Sequence, residues 1–315
     1  MIDKNKLAKI AKQLVAPGKG ILAADESTGT MEKRLMAINV ASTEENRKAY
    51  RKMMFSTQGV EKFISGVILY EETLRQDLGK ILLDKGILIG IKVDQGMNES
   101  GVTEGLAGLP ERLGEYIKLG VVFTKWRAVV VIGGKDNLEE NATRLAEYAK
   151  ICQEAGLVPI VEPEVLMDGE HTIEKCEEVT MQTLKIVFEK LKEKEVVLEG
   201  MLLKPSMVLS GKNCLAQASV QEVAEATVRC FKQFVPKEVA GAVFLSGGLS
   251  PDEATDRLRA INQMKDLPWQ MSFSFGRALQ QEALQAWVGK AENKVLAQKA
   301  FYKRAEKVSL ARQNK

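Results

Sequence analysis

Three observations predict an α/β protein closed into a (β/α)8 TIM barrel, with a helix before the first strand and another after the last. Apolar, β-rich runs alternate with charged segments of helical period, the order that builds a parallel sheet. Eight such runs occur, near-continuous in Val, Ile and Leu, as strands buried on both faces require. The 315 residues contain no Ser/Pro-rich linker, low-complexity tract or composition break, and no G-x-G-x-x-G follows an early strand. One barrel domain over residues 1–315 therefore fits better than an open doubly wound sheet.

In chain order, "MIDKNKLAKIAKQLVAPGKG" mixes charges at helical spacing, which predicts the leading helix and leaves no apolar segment for a secretory signal. The first strand is "GKGILAAD" (18–25), and "MEKRLMAINVASTEENRKAYRKMMFSTQG" holds helices before the second, "FISGVILY" (63–70). "GILIGIKVD" (86–94), "VVFTKWRAVV" (121–130) and "LVPIVEPEV" (157–165) follow, the last two separated by the helical "LEENATRLAEYAKICQEAG" (138–156). The sixth strand is "VLEGMLLKP" (197–205), and the helix "SVQEVAEATVRCFKQFV" (219–235) leads to "GAVFLSGG" (241–248). "WQMSFSFGR" (269–277) closes the set, and "AENKVLAQKAFYKRAEKVSLARQNK" reads as a final amphipathic helix with a basic, frayed end.

The composition, 45% hydrophobic and 28% charged with 25 Gly and 8 Pro, is that of a soluble globular protein with a large core. Forty-five basic against 42 acidic residues leave +3, so no general attraction to nucleic acid or anionic membrane is expected and any anion site must be built locally. No stretch reaches transmembrane length. Cys152, Cys176, Cys214 and Cys230 show no paired spacing, which points away from a disulfide framework or zinc ribbon and towards a reducing cytoplasm.

In this fold functional groups project from the C-terminal ends of the strands, so charges late in apolar runs carry the information. Asp25 ends the first strand, Lys92 and Asp94 the third; Lys125 and Arg127 lie in the fourth, Glu162 and Glu164 in the fifth, and Lys204 in the sixth. Within each pair the spacing of two puts both side chains on one face. Any one of these charges alone is best read as a salt-bridged barrel residue or a solvated rim group. Together, closure of the barrel sets Lys125 and Lys204 beside the fifth-strand carboxylates and across from Asp25. Neighbouring ammoniums and partial desolvation then lower a lysine's pKa while the carboxylates oppose the shift, and the chemistry allowed is imine formation with a carbonyl.

"LSGGLS" (245–250) and "SFGRAL" (274–279) follow the last two strands, where barrels of this type commonly hold phosphate on backbone N–H groups; Arg277 adds a bidentate partner. Lys33, Arg34 and Lys92, with Ser27 and Thr30, form a second basic group able to receive another phosphate. Each glycine pair alone is better read as a tight turn, and a basic run on a helix as solvated surface. Metal catalysis is poorly supported, because the single histidine, His171, stands beside a predicted helix start and reads as a surface or capping-region residue. The cysteines in predicted helices read as packing groups, and Trp126 and Phe275 as barrel or rim packing.

The segments "GILAADESTGTMEKRL", "FTKWRAV", "GLVPIVEPEVL", "LEGMLLKPSMV", "FLSGGLS" and "SFSFGRALQ" resemble class I fructose-bisphosphate aldolase, in one order from about Ala16 to Lys290. The resemblance implies reversible cleavage of fructose 1,6-bisphosphate to dihydroxyacetone phosphate and glyceraldehyde 3-phosphate, with no metal or other cofactor, in a cytoplasmic homo-oligomer, often a tetramer. It further implies Lys204 as the Schiff-base lysine, Glu162 as the acid for the leaving water, Glu164 as a carboxylate coupled to it, Lys125 as a stabiliser of the carbinolamine steps, and Asp25 as acceptor of the C4-hydroxyl proton. Ser246, Gly247, Gly248, Gly276 and Arg277 would hold the C1 phosphate, with Ser27, Thr30, Lys33, Arg34, Lys92 and Arg127 near the rest of the substrate or the C6 phosphate.

Against the animal enzymes, "KPS" stands for "KPN", "SFGR" for "SYGR", and Gln95 for a basic residue. The sequence ends at "SLARQNK" without the tyrosine-ended tail those enzymes use in enamine proton exchange, so the phosphate of the bound product or Glu162 is expected to relay that proton. A Schiff-base lyase acting on another sugar phosphate, such as sedoheptulose bisphosphate, stays open, and a catalytically silent binding scaffold is disfavoured by the joint presence of Lys204, Glu162, Lys125 and Asp25.

Overall fold

The structure, a computed structural model, describes residues 2–135 and 137–313. Eight parallel strands close in chain order into a barrel: β1 (Gly20–Ala24), β2 (Ile64–Leu69), β3 (Leu88–Lys92), β4 (Val121–Val130), β5 (Val158–Val165), β6 (Leu202–Leu203), β7 (Gly241–Phe244) and β8 (Gln270–Phe275), with β8 pairing back to β1. Helix α1 (Lys4–Leu14) precedes the barrel. Between the strands lie α2 (Thr28–Met36), α3 (Glu44–Phe55), α4 (Glu71–Arg75), α5 (Gly79–Leu83), α6 (Leu109–Lys118), α7 (Leu138–Glu154), α8 (Ile173–Glu193), α9 (Val220–Phe234) and α10 (Pro251–Gln263). Helices α11 (Arg277–Trp287) and α12 (Lys294–Arg312) follow β8.

Alternation along the strands divides the core in two. Ile21, Ala23, Ile68, Phe123, Val158, Ile160, Leu202 and Val243 form an inner cluster, and Leu7, Ile10, Ala11 and Leu14 of α1 belong to the same cluster, closing one end of the barrel. Their neighbours Leu22, Val67, Ile89, Val161, Leu203, Ala242 and Phe273 pack in the outer cluster with the helices. Phe123 fills the interior because Gly90 and Gly66 face it; a Cβ on Gly90 would collide with the ring. The same alternation carries the inner row onwards from Phe123 to Lys125, from Ile160 to Glu162 and from Leu202 to Lys204. Apolar residues therefore occupy the lower layers of the barrel and charges its mouth.

Two expectations need correction. The run 197–205 is not one strand: Leu198–Gly200 form a 3-10 turn and only Leu202–Leu203 are strand. Gln153 clamps this segment, donating to the carbonyls of Val197 (2.8 Å) and Gly200 (3.2 Å) and accepting from Val197 N–H (2.8 Å), so its polar backbone is satisfied outside the ladder. The described end of the chain is not frayed either. Arg312 is buried and donates to the carbonyls of Val15, Ala16 and Lys19 and to Gln270, while Ser309 donates to the Gly18 carbonyl (2.6 Å), which ties α12 to the loop leading into β1; Asn314 and Lys315 lie outside the described residues.

Candidate active site

Strand register sets the geometry of the mouth. Lys92 pairs in register with Lys125, Lys125 with Ile160, and Arg127 with Glu162. The Lys204 N–H donates to the Val161 carbonyl (2.8 Å), so β6 delivers Lys204 beside Glu162. The Lys204 Nζ lies 3.0 Å from Glu162 Oε1, and Lys125 Nζ lies 3.4 Å from Glu162 Oε2 and 2.8 Å from Asp25 Oδ2. One carboxylate thus bridges two ammoniums from opposite sides. Lys125, Glu162 and Lys204 are all buried, where such charges persist only in mutual compensation.

Electrostatics refine the expected lysine chemistry. Desolvation favours the neutral form of Lys125, but the charges of Asp25, Glu162 and Asp94 outweigh it and raise its pKa well above the ordinary lysine value. Burial likewise works to raise the Asp25 pKa, and the Lys125 and Lys204 ammoniums overcome it, holding the carboxyl well below the usual range. Lys125 is therefore a fixed cation and Asp25 a fixed anion: at Lys125 the opposing carboxylates win over desolvation.

Asp94, which ends the third-strand run and carried no role in the sequence reading, is the third carboxylate of the cluster. Its Oδ1 lies 2.7 Å from Lys92 Nζ and its Oδ2 3.7 Å from Lys125 Nζ, and it accepts from the Arg127 N–H (3.3 Å). Lys92 also donates to the Asp94 carbonyl (2.6 Å). The two-residue spacing from Lys92 was the available signal for it. Glu164 forms its ion pair with Arg127, since the registered strands bring the β4 guanidinium alongside β5.

The mouth opens into a cavity of about 760 Å³ lined by Asp25, Lys92, Asp94, Lys125, Glu162 and Lys204. A second, of about 490 Å³, is lined by Lys204, Glu164, Ser246, Gly247, Gly248 and Arg277, with Lys33, Thr30, Arg34 and Gly276. Lys204, Thr30, Arg34 and Gly276 line both, so Lys204 stands where the two meet. This divides the expected second basic group. Lys33 lines the cavity of the "LSGGLS" loop and Lys92 the other one, because α2 turns its lysine towards the β7 loop while Lys92 continues the inner row of β3. Ser27 and Arg127 line the larger cavity, and Ser27 caps α2 by accepting from the Thr30 N–H (3.4 Å).

The glycines of the β7 loop are demanded by space and backbone. Gly247 and Gly248 have φ of 32° and 92°, and a Cβ on them would meet the Leu245 and Met167 side chains. Arg277 opens α11 behind Gly276 and donates to the Leu249 carbonyl (3.3 Å), joining the β7 and β8 loops. A helix N-terminus and an arginine converge on this one cavity, and both are groups that favour an anion.

Ser206 donates to the Val165 carbonyl (2.8 Å), tying the end of β6 to β5. His171 immediately precedes Thr172, the N-cap of α8, and is half-buried, so it is a capping-region residue rather than a surface one; burial lowers its pKa. Trp126 and Phe275 are buried in the outer cluster, and Cys152, Cys176 and Cys230 are buried thiols.

A closed parallel barrel whose mouth joins a buried lysine, a bridging glutamate and an anion site defines a lysine-dependent carbon–carbon lyase acting on a phosphorylated carbonyl compound. The family described as fructose-bisphosphate aldolase class-I, glycolytic, matches residues 6–315. The chain is 50% identical to a probable fructose-bisphosphate aldolase class 1 of Xanthomonas campestris pv. campestris, over 97% of each chain. It is 48% identical to fructose-bisphosphate aldolase C of Carassius auratus, covering 99% of this chain and 91% of that one. It also superposes on the fructose-bisphosphate aldolase of Plasmodium falciparum, solved with TRAP and a small-molecule inhibitor, at a TM-score of 0.97 and 48% identity, covering 99% and 95% of the two chains. The chain belongs to the class-I fructose-bisphosphate aldolase family. Its reaction is the reversible cleavage of fructose 1,6-bisphosphate through a lysine Schiff base, a step of glycolysis.

Proposed function

We propose that Lys204 is the Schiff-base lysine of this aldolase and that Glu162 moves the protons of imine formation. The supporting observation is the single carboxylate held 3.0 Å from Lys204 and 3.4 Å from Lys125. Lys204 gives its proton to Glu162 and attacks the C2 carbonyl as the free amine. The neutral glutamic acid returns that proton to the carbinolamine hydroxyl, and water leaves as the protonated imine forms. Lys125, a permanent cation, stabilises the oxygen during these steps.

Cleavage needs a base at the C4 hydroxyl and an electron sink at C2. Asp25, held ionised by the ammoniums around it, accepts the C4-hydroxyl proton; the C3–C4 pair flows into the iminium, giving an enamine on Lys204 and releasing glyceraldehyde 3-phosphate. Ser246, Gly247, Gly248, Gly276 and Arg277, with Lys33 and Arg34, hold the C1 phosphate in the smaller cavity. Ser27, Thr30, Lys92 and Arg127 serve the far half of the substrate. Glu164 orients Arg127. We also propose that residues 1–315 act as one barrel domain, in the cytoplasm, within a homo-oligomer such as a tetramer, which light scattering would establish.

The test is borohydride reduction in the presence of dihydroxyacetone phosphate, followed by peptide mass mapping. The expected result is one stable adduct on Lys204, absent from Lys204→Met. An adduct on another lysine, or none in a protein that still cleaves the substrate, overturns the assignment.

A further inference from the structure

Glu26 follows Asp25 at the end of β1, points out of the inner row, and has no part in the bond-making steps above. Its carboxylate is nevertheless buried and takes a defined position. Oε1 accepts from Arg34 and from Gln280 Nε2 (2.7 Å), whereas Oε2 is buried with no hydrogen-bond partner among the described residues. Gln280 is itself fixed, donating to the Ala23 carbonyl (2.7 Å) and meeting the Tyr50 hydroxyl (3.3 Å). Arg51, 1% exposed, donates to the Glu26 carbonyl (2.9 Å) and pairs with Glu72 (3.2 Å), which Arg47 also holds. Gln280 of α11 thus fixes the Glu26 carboxylate, and Arg51 of α3 fixes its backbone carbonyl. Arg34 is the more exposed partner, at 23% against 6% for the Glu26 side chain, and it lines both cavities.

A buried carboxylate with one unsatisfied oxygen weakens a fold, and an anion beside a dianion site opposes the ligand. We propose that Glu26 is a positioning residue that acts through Arg34 as a built-in competitor for phosphate. In the free enzyme it holds Arg34. When phosphate enters beside Ser246, Gly247 and Arg277, the guanidinium, with five donors, is shared between the two anions. The rigid carboxylate keeps that attraction partial, which limits how tightly the phosphate product is retained. This rests on the reading of the Lys204 site given above.

The experiment uses the full chain and measures inorganic phosphate binding by calorimetry, with steady-state cleavage alongside. Glu26→Gln keeps an acceptor for Arg34 and Gln280 but removes the charge. It is expected to bind phosphate about fivefold more tightly, the order expected for one charge removed across a single side chain, with KM and kcat both lowered as release slows. The gain should vanish in an Arg34→Gln background. Glu26→Asp, which withdraws the charge from Arg34 by one methylene, should shift phosphate affinity the same way by a smaller factor, and it serves should Glu26→Gln not fold. Unchanged or weaker phosphate binding in a folded variant, with the borohydride adduct on Lys204 intact, overturns the role of Glu26. Loss of the adduct in the parent protein would instead overturn the Lys204 reading, while phosphate affinity would still report on Glu26.

Discussion

Glu162→Gln tests the catalytic reading most directly, because it neutralises the one carboxylate held between Lys125 and Lys204 while keeping its shape. Lys92, Lys125 and Lys204 face Asp25, Asp94 and Glu162 at the mouth. Neutralising Glu162 removes the base that takes the Lys204 proton, so attack on the carbonyl is slowed. Dehydration of the carbinolamine is slowed as well, because the amide cannot return a proton to the departing hydroxyl. General acid catalysis contributes about 10²- to 10⁴-fold, so kcat should fall by about that factor. Of the species on the lysine nitrogen, borohydride fixes only the iminium, not the carbinolamine; the rate of trapping on Lys204 should therefore fall in parallel, while dihydroxyacetone phosphate still binds. Trapping at the parental rate, in a variant with parental melting temperature, would refute Glu162 as the acid.

Two further outcomes follow from the same structure. The Asp25 carboxyl has its folded-state pKa pulled below the unfolded value of about 3.9, so its pairing stabilises the protein above that value and the contribution is lost as pH falls through the folded-state pKa. Melting curves between neutral and acid pH should show a shallower acid limb in Asp25→Asn; an unchanged limb would count against the pairing. Gly90→Ala drives a methyl into the Phe123 ring. It should cost about 1–3 kcal/mol, with a melting temperature about 2–4 °C lower per kcal/mol, and a variant as stable as the parent would show that the ring has room to move.

Legibility differed by residue for physical reasons. Lys125, Glu162 and Lys204 were readable because strand alternation is strictly periodic, so a charge two residues beyond an inward apolar residue must face the mouth. Asp94 was half readable, its face given by Lys92 but not its place between two lysines, which depends on the stagger of β3 against β4. Lys33 and Arg34 stand one residue apart on α2, and composition alone grouped them with Lys92; only helix packing sends Lys33 to the β7 loop. The run 197–205 looked like a strand because apolar content does not reveal that Gln153, distant in sequence, takes up its backbone groups. Nor does local pattern reveal Glu26, whose neighbours come from α2, α3 and α11.

The order of strands and helices, the closed barrel, and the inner row of charges follow from local periodicity and the rule that strand ends carry chemistry, both properties of short stretches. Tertiary structure alone decided which carboxylate serves which cation: Glu162 between Lys125 and Lys204, Glu164 on Arg127, Asp94 on Lys92, and Glu26 on Arg34. Such pairings depend on distances of a few ångströms between side chains that meet only once strands and helices are packed, most of them remote in sequence. In a desolvated mouth those distances decide which groups hold fixed charge, and barrel closure sets them.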